Sequence, residues 1–327
     1  MQPQDLNNTK TAYNLKNTSD GQKYKFFPFL EIRWFAFAFS LLIIGTGIAS
    51  FLLKGGFNLG IDFKGGVKVD VNINAPDINI KKVRQIFIEN KMNAEISTVG
   101  KPEERNFMIS LPVSSSATTE IDNLKSFLEK QFGTDKVLIR GSEVVEPKIG
   151  KAFASRSFQL LTIVAVLILV YVMFRFDFYY GAGAVLALLH DTLVMLSFTA
   201  LLDIPVDITV IAAIMTILGY SINDTIVVFD RIREIASTNK DEDLLLIMNR
   251  SITQTLSRTI ITSLTTFLVV LALFIWGGPV LHNFALELMI GIFFGTYSSI
   301  FIASPITYML RRIFDKKLRK ATVKSGL

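Results

Sequence analysis

The sequence predicts an α-helical polytopic membrane protein of six spans carrying one small α+β domain outside the membrane, and three observations predict it. The 327 residues are 50% hydrophobic with a mean hydropathy of +0.44, which is high for a soluble chain. The apolar residues gather into long uncharged blocks instead of spreading evenly. Between the first two blocks lies a polar stretch, residues 55–150, in which two-residue and helical periodicities alternate. Cysteine is absent, which excludes disulfides, thiolate nucleophiles and cysteine-based metal sites together. Two histidines, His190 and His282, leave little room for a zinc enzyme, and neither a metal nor a cofactor is expected. The net charge of +6 does not require nucleic acid, because membrane proteins concentrate Lys and Arg in cytoplasmic segments.

Residues 1–29 are polar and lack the h-region of a secretory signal, so residues 1–33 read as a cytoplasmic tail. Trp34 to Leu53 is long enough to cross ~30 Å of hydrocarbon, which makes residues 34–54 the first span. In the polar stretch, Val67 to Asn74 alternates strictly as a strand does, and Ile80, Val83, Ile86 and Phe87 share a helical face. Ala94 to Val99 reads as a short strand, and Asn106 to Val113 alternates again. Thr118 to Phe132 is amphipathic through Ile121, Leu124 and Leu128, and Lys136 to Ile149 is extended. The resulting order β-α-β-β-α-β is that of a ferredoxin-like unit, with Val69, Val71, Val83, Phe87, Ile109, Leu124 and Leu128 as its core. Residues 151–310 hold five further apolar blocks, at about Phe158–Phe174, Gly181–Leu202, Val206–Phe229, Thr259–Trp276 and Phe284–Leu310. Residues 311–327 form a basic tail.

Charge sets the orientation. The amino-terminal tail, the basic carboxy-terminal tail and the connection bearing Arg231, Arg233, Lys240 and Arg250 are rich in Lys and Arg, whereas Asp203–Asp207 and Gly277–Asn283 have none. Six spans with both termini cytoplasmic satisfy all of these assignments, and a long translocated domain escapes the positive-inside rule. The 55–150 domain is therefore extracytoplasmic.

Some residues are costly where they stand. Asp224 lies in the fourth span, where an acid costs on the order of 2.5–3.5 kcal/mol on insertion scales. Thr216, Tyr220 and Asn223 fall at helical spacings around it. Arg258 opens the fifth span at what reads as a similar depth, and an Arg–Asp pair would offset much of the burial cost of either charge. The alternatives are a snorkelling acid and an ordinary cytoplasmic anchor. His190 and Asp191 sit near the middle of the third span and read as lining a hydrated path with Tyr220 and Asn223. Asp62, Gly65 and Gly66 follow the first span, with the glycines as a tight turn into the first strand and Asp62 as a residue that caps or orients it. Gly291, Gly295 and Ser299 recur every fourth residue, a small-residue face for close helix packing.

Several of these runs resemble motifs of the SecD/SecF family of protein-export membrane proteins. They are Gly60-Ile61-Asp62-Phe63-Lys64-Gly65-Gly66, Leu189-His190-Asp191, the stretch from Gly219 to Glu234, Ser251 to Thr259, and Gly277-Gly278-Pro279-Val280. The resemblance spans about residue 30 to residue 310, and the single small outer unit suits the shorter branch of the family. Lys64, where a small polar residue is more usual, and a longer amino-terminal tail are its departures. The resemblance implies a bundle equal to half of a resistance-nodulation-division-like transporter. It also implies an auxiliary role in the bacterial Sec translocase at the cytoplasmic (inner) membrane, with SecD, the translocon channel, exported preproteins and protons as partners, no nucleic acid and no enzymatic activity. By resemblance Asp224 is a proton-relay aspartate and Arg258 an essential arginine. Two alternatives stand beside this reading: half of a proton-driven lipid or drug pump, and an intramembrane aspartyl protease using Asp191 and Asp224. The protease is the weaker, since its two acids must converge on one bond.

Overall fold

The computed structural model describes residues 27–325 apart from 76–77, 93, 100–101, 113–116, 146 and 241. The amino-terminal tail up to residue 26, the strand end expected at Val113 and the side chains of the last basic residues lie outside the described residues. Six helices among those described are long and apolar enough to cross a membrane. The first is α1 (Arg33–Lys54), which ends where Gly55 turns left-handed at φ 74° and returns its N–H to the last turn.

The polar stretch folds as α2 (Ile61–Lys64), β1 (Gly66–Ile73), α3 (Ile80–Glu89), β2 (Glu95–Val99), β3 (Asn106–Leu111), α4 (Ala117–Phe132) and β4 (Val137–Val145). The strands pair antiparallel throughout in the order β2-β3-β1-β4, the ferredoxin-like arrangement expected from the element order. One face of β1 and β3 is apolar at every second residue, so α3 and α4 cover that face alone. All seven expected core residues are fully buried there. The extended stretch expected to reach Ile149 stops at Val145. Pro147 then begins the next helix, since its fixed φ suits a first helical position.

Five helical segments follow as α5 (Pro147–Arg175), α6 (Phe178–Leu201), α7 (Ile208–Thr238), α8 (Leu244–Trp276) and α9 (Gly278–Ser298). A π-helical turn at Ser299–Ala303 joins α9 to α10 (Ser304–Ser325). The helices α7 and α8 extend well past the apolar blocks. Asp207 and Asp243 cap their first turns, accepting the N–H of Val210 at 2.9 Å and of Leu245 at 3.2 Å. At the opposite end of α7, Arg175 and Asp230 pair at 3.0 Å. Helices α6, α7 and α9 form the buried centre, while α1, α5 and α8 expose most of their apolar surface.

The small-residue face of α9 is the closest seam of that centre. A Cβ on Gly291 would stand 2.3 Å from Ile217 Cγ1, and one on Gly295 would stand 3.2 Å from the Ser221 side chain. Gly291→Leu should therefore destabilise the purified protein by about 1–3 kcal/mol, the usual cost of overpacking a filled core. Thermal unfolding in detergent checks this, and Gly219→Ala, whose Cβ meets nothing within 4 Å, serves as the tolerant control.

The two glycines after α2 do more than turn the chain. Gly65 sits at φ 79°, and a Cβ on Gly66 would stand 2.4 Å from the Leu111 carbonyl, so each position excludes a side chain for a different reason. Of the two roles expected of Asp62, capping the turn and orienting it, the first is not what its carboxylate does. Its Oδ1 takes Lys68 Nζ at 3.0 Å and its Oδ2 takes the Ile208 N–H at 3.2 Å. The carboxylate thus ties the start of the outer domain to the start of α7. A parallel bridge of Leu59 to Val206 and Phe63, buried among Met195, Ile214 and Ile292, complete that anchor.

Candidate functional site

Two polar clusters lie inside the helical bundle. The first joins α7, α8 and α9. Asp224 is 4% exposed, and the hydrogen bond that the described residues give its carboxylate is a long one, 3.4 Å from Ser263 Oγ. Ser263 in turn accepts from Tyr220 Oη at 3.3 Å and Thr296 Oγ1 at 2.7 Å. One serine on α8 therefore meets hydroxyls from α7 and α9 together with the acid; Thr296 Oγ1 also lies 2.8 Å from the Ile292 carbonyl.

The second cluster joins α6, α7, α9 and α1. Asp191 has no exposed surface. Its Oδ2 accepts from Ser221 Oγ and, at 2.8 Å, from Ser298 Oγ, while its Oδ1 meets His190 Nδ1 at 3.0 Å. From His190 Nε2 the network continues to Ser40 Oγ at 2.9 Å, to Tyr297 Oη at 3.4 Å and to the Ala36 carbonyl at 2.8 Å. Tyr297 donates to that carbonyl, and each ring nitrogen of His190 has one oxygen partner, so the imidazole links Asp191 to Ser40 whichever tautomer it holds.

The direct Arg258–Asp224 ion pair expected from spacing is not formed. Arg258 is exposed on the surface of α8, and no ion pair or hydrogen bond joins the two. The reason is helical phase: Ser263, which faces α7, stands five residues from Arg258, about 140° round the helix and about 7.5 Å along it. Asn223 also points away from Asp224 and is exposed. Of the expected path, Tyr220 thus lies with Asp224, and His190 with Asp191. Thr262, Thr265 and Thr266 return their hydroxyls to carbonyls one turn back, each at 2.9 Å, which satisfies them without any partner.

A further buried acid, Glu287 in α9, has no place among the expected residues. It has no exposed surface and is the one Asp, Glu, Lys or Arg between Gly277 and Leu310, a signal available in the sequence. The serines that organise the clusters carry no such signal.

Where the outer domain meets the bundle there is a cleft of about 700 Å³, lined by Asp62, Lys68, Arg84, Glu95, Asp207 and His282 among others. Burial, and then the nearby Asp207 carboxylate, push the Glu95 carboxyl above the usual range.

Comparison with known proteins gives the lineage. Residues 125–313 match the family described as protein export membrane protein SecD/SecF, C-terminal, and residues 50–76 match the SecD/SecF GG motif. The chain is 40% identical to the protein translocase subunit SecF of Haemophilus influenzae over 86% of its own length and 85% of that protein's. It is 39% identical to the SecF of Vibrio alginolyticus over 85% and 89%. The crystal structure of SecDF, a translocon-associated membrane protein from Thermus thermophilus, superposes with a TM-score of 0.74 at 37% identity, covering 88% of this chain and 39% of that longer one. The chain belongs to the SecF branch of the SecD/SecF family of protein-export membrane proteins, a multi-pass lineage of the bacterial inner membrane.

Proposed function

We propose that this chain, together with SecD, uses the proton gradient to promote late steps of protein export through the Sec translocon, with Asp224 as the proton-carrying group. The observation that carries the reading is the state of Asp224. A carboxylate buried in a membrane bundle and held by one long hydrogen bond lacks the partners that would fix it as a structural anion. Arg258 cannot give up its own proton, so in this reading it controls the acid without relaying. Tyr220 and Ser263 supply hydroxyls along which a proton can approach.

The exposure of Arg258 supports a partner. A guanidinium at the edge of the hydrocarbon, left exposed by the described residues, calls for water or a second polypeptide, and six spans are half of a two-repeat transporter. The relative named SecDF, of which this chain matches 36%, supports SecD as the other half. The test is the completion of an arrested export intermediate in membrane vesicles by an imposed proton gradient, without nucleotide. Vesicles carrying this chain and SecD should complete it, and those carrying either alone should not.

The orientation proposed is both termini cytoplasmic, with residues 55–150 extracytoplasmic, on the charge distribution. The chain has no native cysteine, so single substitutions report cleanly. Ser142→Cys on β4 and Ser237→Cys at the end of α7 are both at exposed positions. An impermeant thiol reagent should label only the former from the outer side of the membrane. Labelling of Ser237→Cys alone would reverse the topology.

A further inference from the structure

Glu287 is a buried titratable group that this mechanism leaves unused and, unlike Asp191 and His190, it stands outside both clusters. It lies on α9 about 9 Å from the start of its span at Leu281. The parallel register of Gly291 on Ile217 and Gly295 on Ser221, continued one turn, brings it opposite Ala213. Its Oε1 stands 2.7 Å from Thr199 Oγ1, while its Oε2 is buried without a hydrogen-bond partner among the described residues.

The threonine makes this geometry informative. Thr199 Oγ1 also lies 2.9 Å from the Met195 carbonyl, an acceptor that can only receive, and the hydroxyl has one proton. If that proton goes to Met195, the short contact with Glu287 needs a proton on the carboxyl, which then donates to Thr199. If it goes to Glu287 instead, a buried carboxylate is left with one hydrogen bond. No ion pair to that carboxyl is formed among the described residues, and the membrane part of α8 that packs on α9, Thr259 to Trp276, holds no acid, base or histidine. Among the described residues, the facing stretches of α6 and α7, from Val194 to Ala200 and from Val210 to Ile217, contain no titratable side chain. On α9 itself His282 stands five residues toward the outer end, and Asp207 caps α7 above.

We infer that Glu287 is a second proton-binding site, loaded from the extracytoplasmic side through the cleft beneath the outer domain. His282 and Asp207 both line that cleft, so its floor ends roughly a turn and a half above Glu287. Phe63, next to the domain's anchor, packs in the same apolar cluster as Ala285 and Leu288, which flank the acid on α9. The proton enters from the cleft, binds the carboxylate, and leaves by the same bond. The inference rests on the proton-coupled reading for its purpose, but proton binding at Glu287 can be measured without it.

The experiment is difference infrared spectroscopy of the full chain with SecD in liposomes, stepping the pH on the outer face. A protonated-carboxyl stretching band that titrates with outer pH, vanishes in Glu287→Gln and survives in Asp224→Asn is the expected result. Gradient-driven export measured on the same samples should fall to background in Glu287→Gln and fall only partly in Glu287→Asp, which shows that the acid group and not the fold is required. A band that does not respond to outer pH, or that persists in Glu287→Gln, overturns the inference, as does undiminished export in Glu287→Gln. Full export in Asp224→Asn with the Glu287 band still titrating would instead sink the Asp224 relay and leave this site standing.

Discussion

Asp224→Asn should reduce gradient-driven export to the level of vesicles lacking the chain, while leaving the protein folded and bound to SecD. The amide copies the shape of the carboxyl and can still accept from Ser263, so the packing of α7 on α8 has no cause to change. It cannot take up or release a proton, so a relay through this position stops. Arg258→Lys keeps the charge but loses the planar fork, and it should give an intermediate rate instead of rescue. The assay is completion of an arrested intermediate under an imposed gradient. Nucleotide-driven export on the same vesicles serves as the control for intact assembly.

Asp191→Ala should give the largest loss of stability. It strips a common partner from Ser221, Ser298 and His190, all buried. Each orphaned buried group costs about 1–3 kcal/mol, so the total should reach several kcal/mol by thermal unfolding in detergent. Asp191→Asn should be much milder in both stability and export, because its amide can still bridge the hydroxyls and the imidazole. Equal export defects in Asp191→Asn and Asp224→Asn would mean that the two acids serve one path.

Most of the architecture was legible from periodicity. The six spans and the alternating strands between them arise from hydrophobic runs that differ in period, and burial alone dictates such runs. The candidate site was legible in part. Spacing tells which residues share a face of one helix and is silent on which faces meet. Asp224 and Arg258 therefore looked like contact partners, although Ser263, a turn and a half further on, takes that place. Hydropathy averaging hid Glu287, a single acid within a long run of Leu, Ile, Phe and Gly. The role of Asp62 was missed for a different reason: its second oxygen caps a helix that begins 146 residues later, a pairing no local pattern encodes.

The central claim is that Asp224 carries protons across this bundle, and proton flux measures it most directly. The purified chain with SecD in liposomes, loaded with an internal pH dye and given an acid pulse outside, should take up protons. Asp224→Asn with SecD should take them up no faster than empty liposomes. Uptake in Asp224→Asn equal to that of the unmodified pair would contradict the claim.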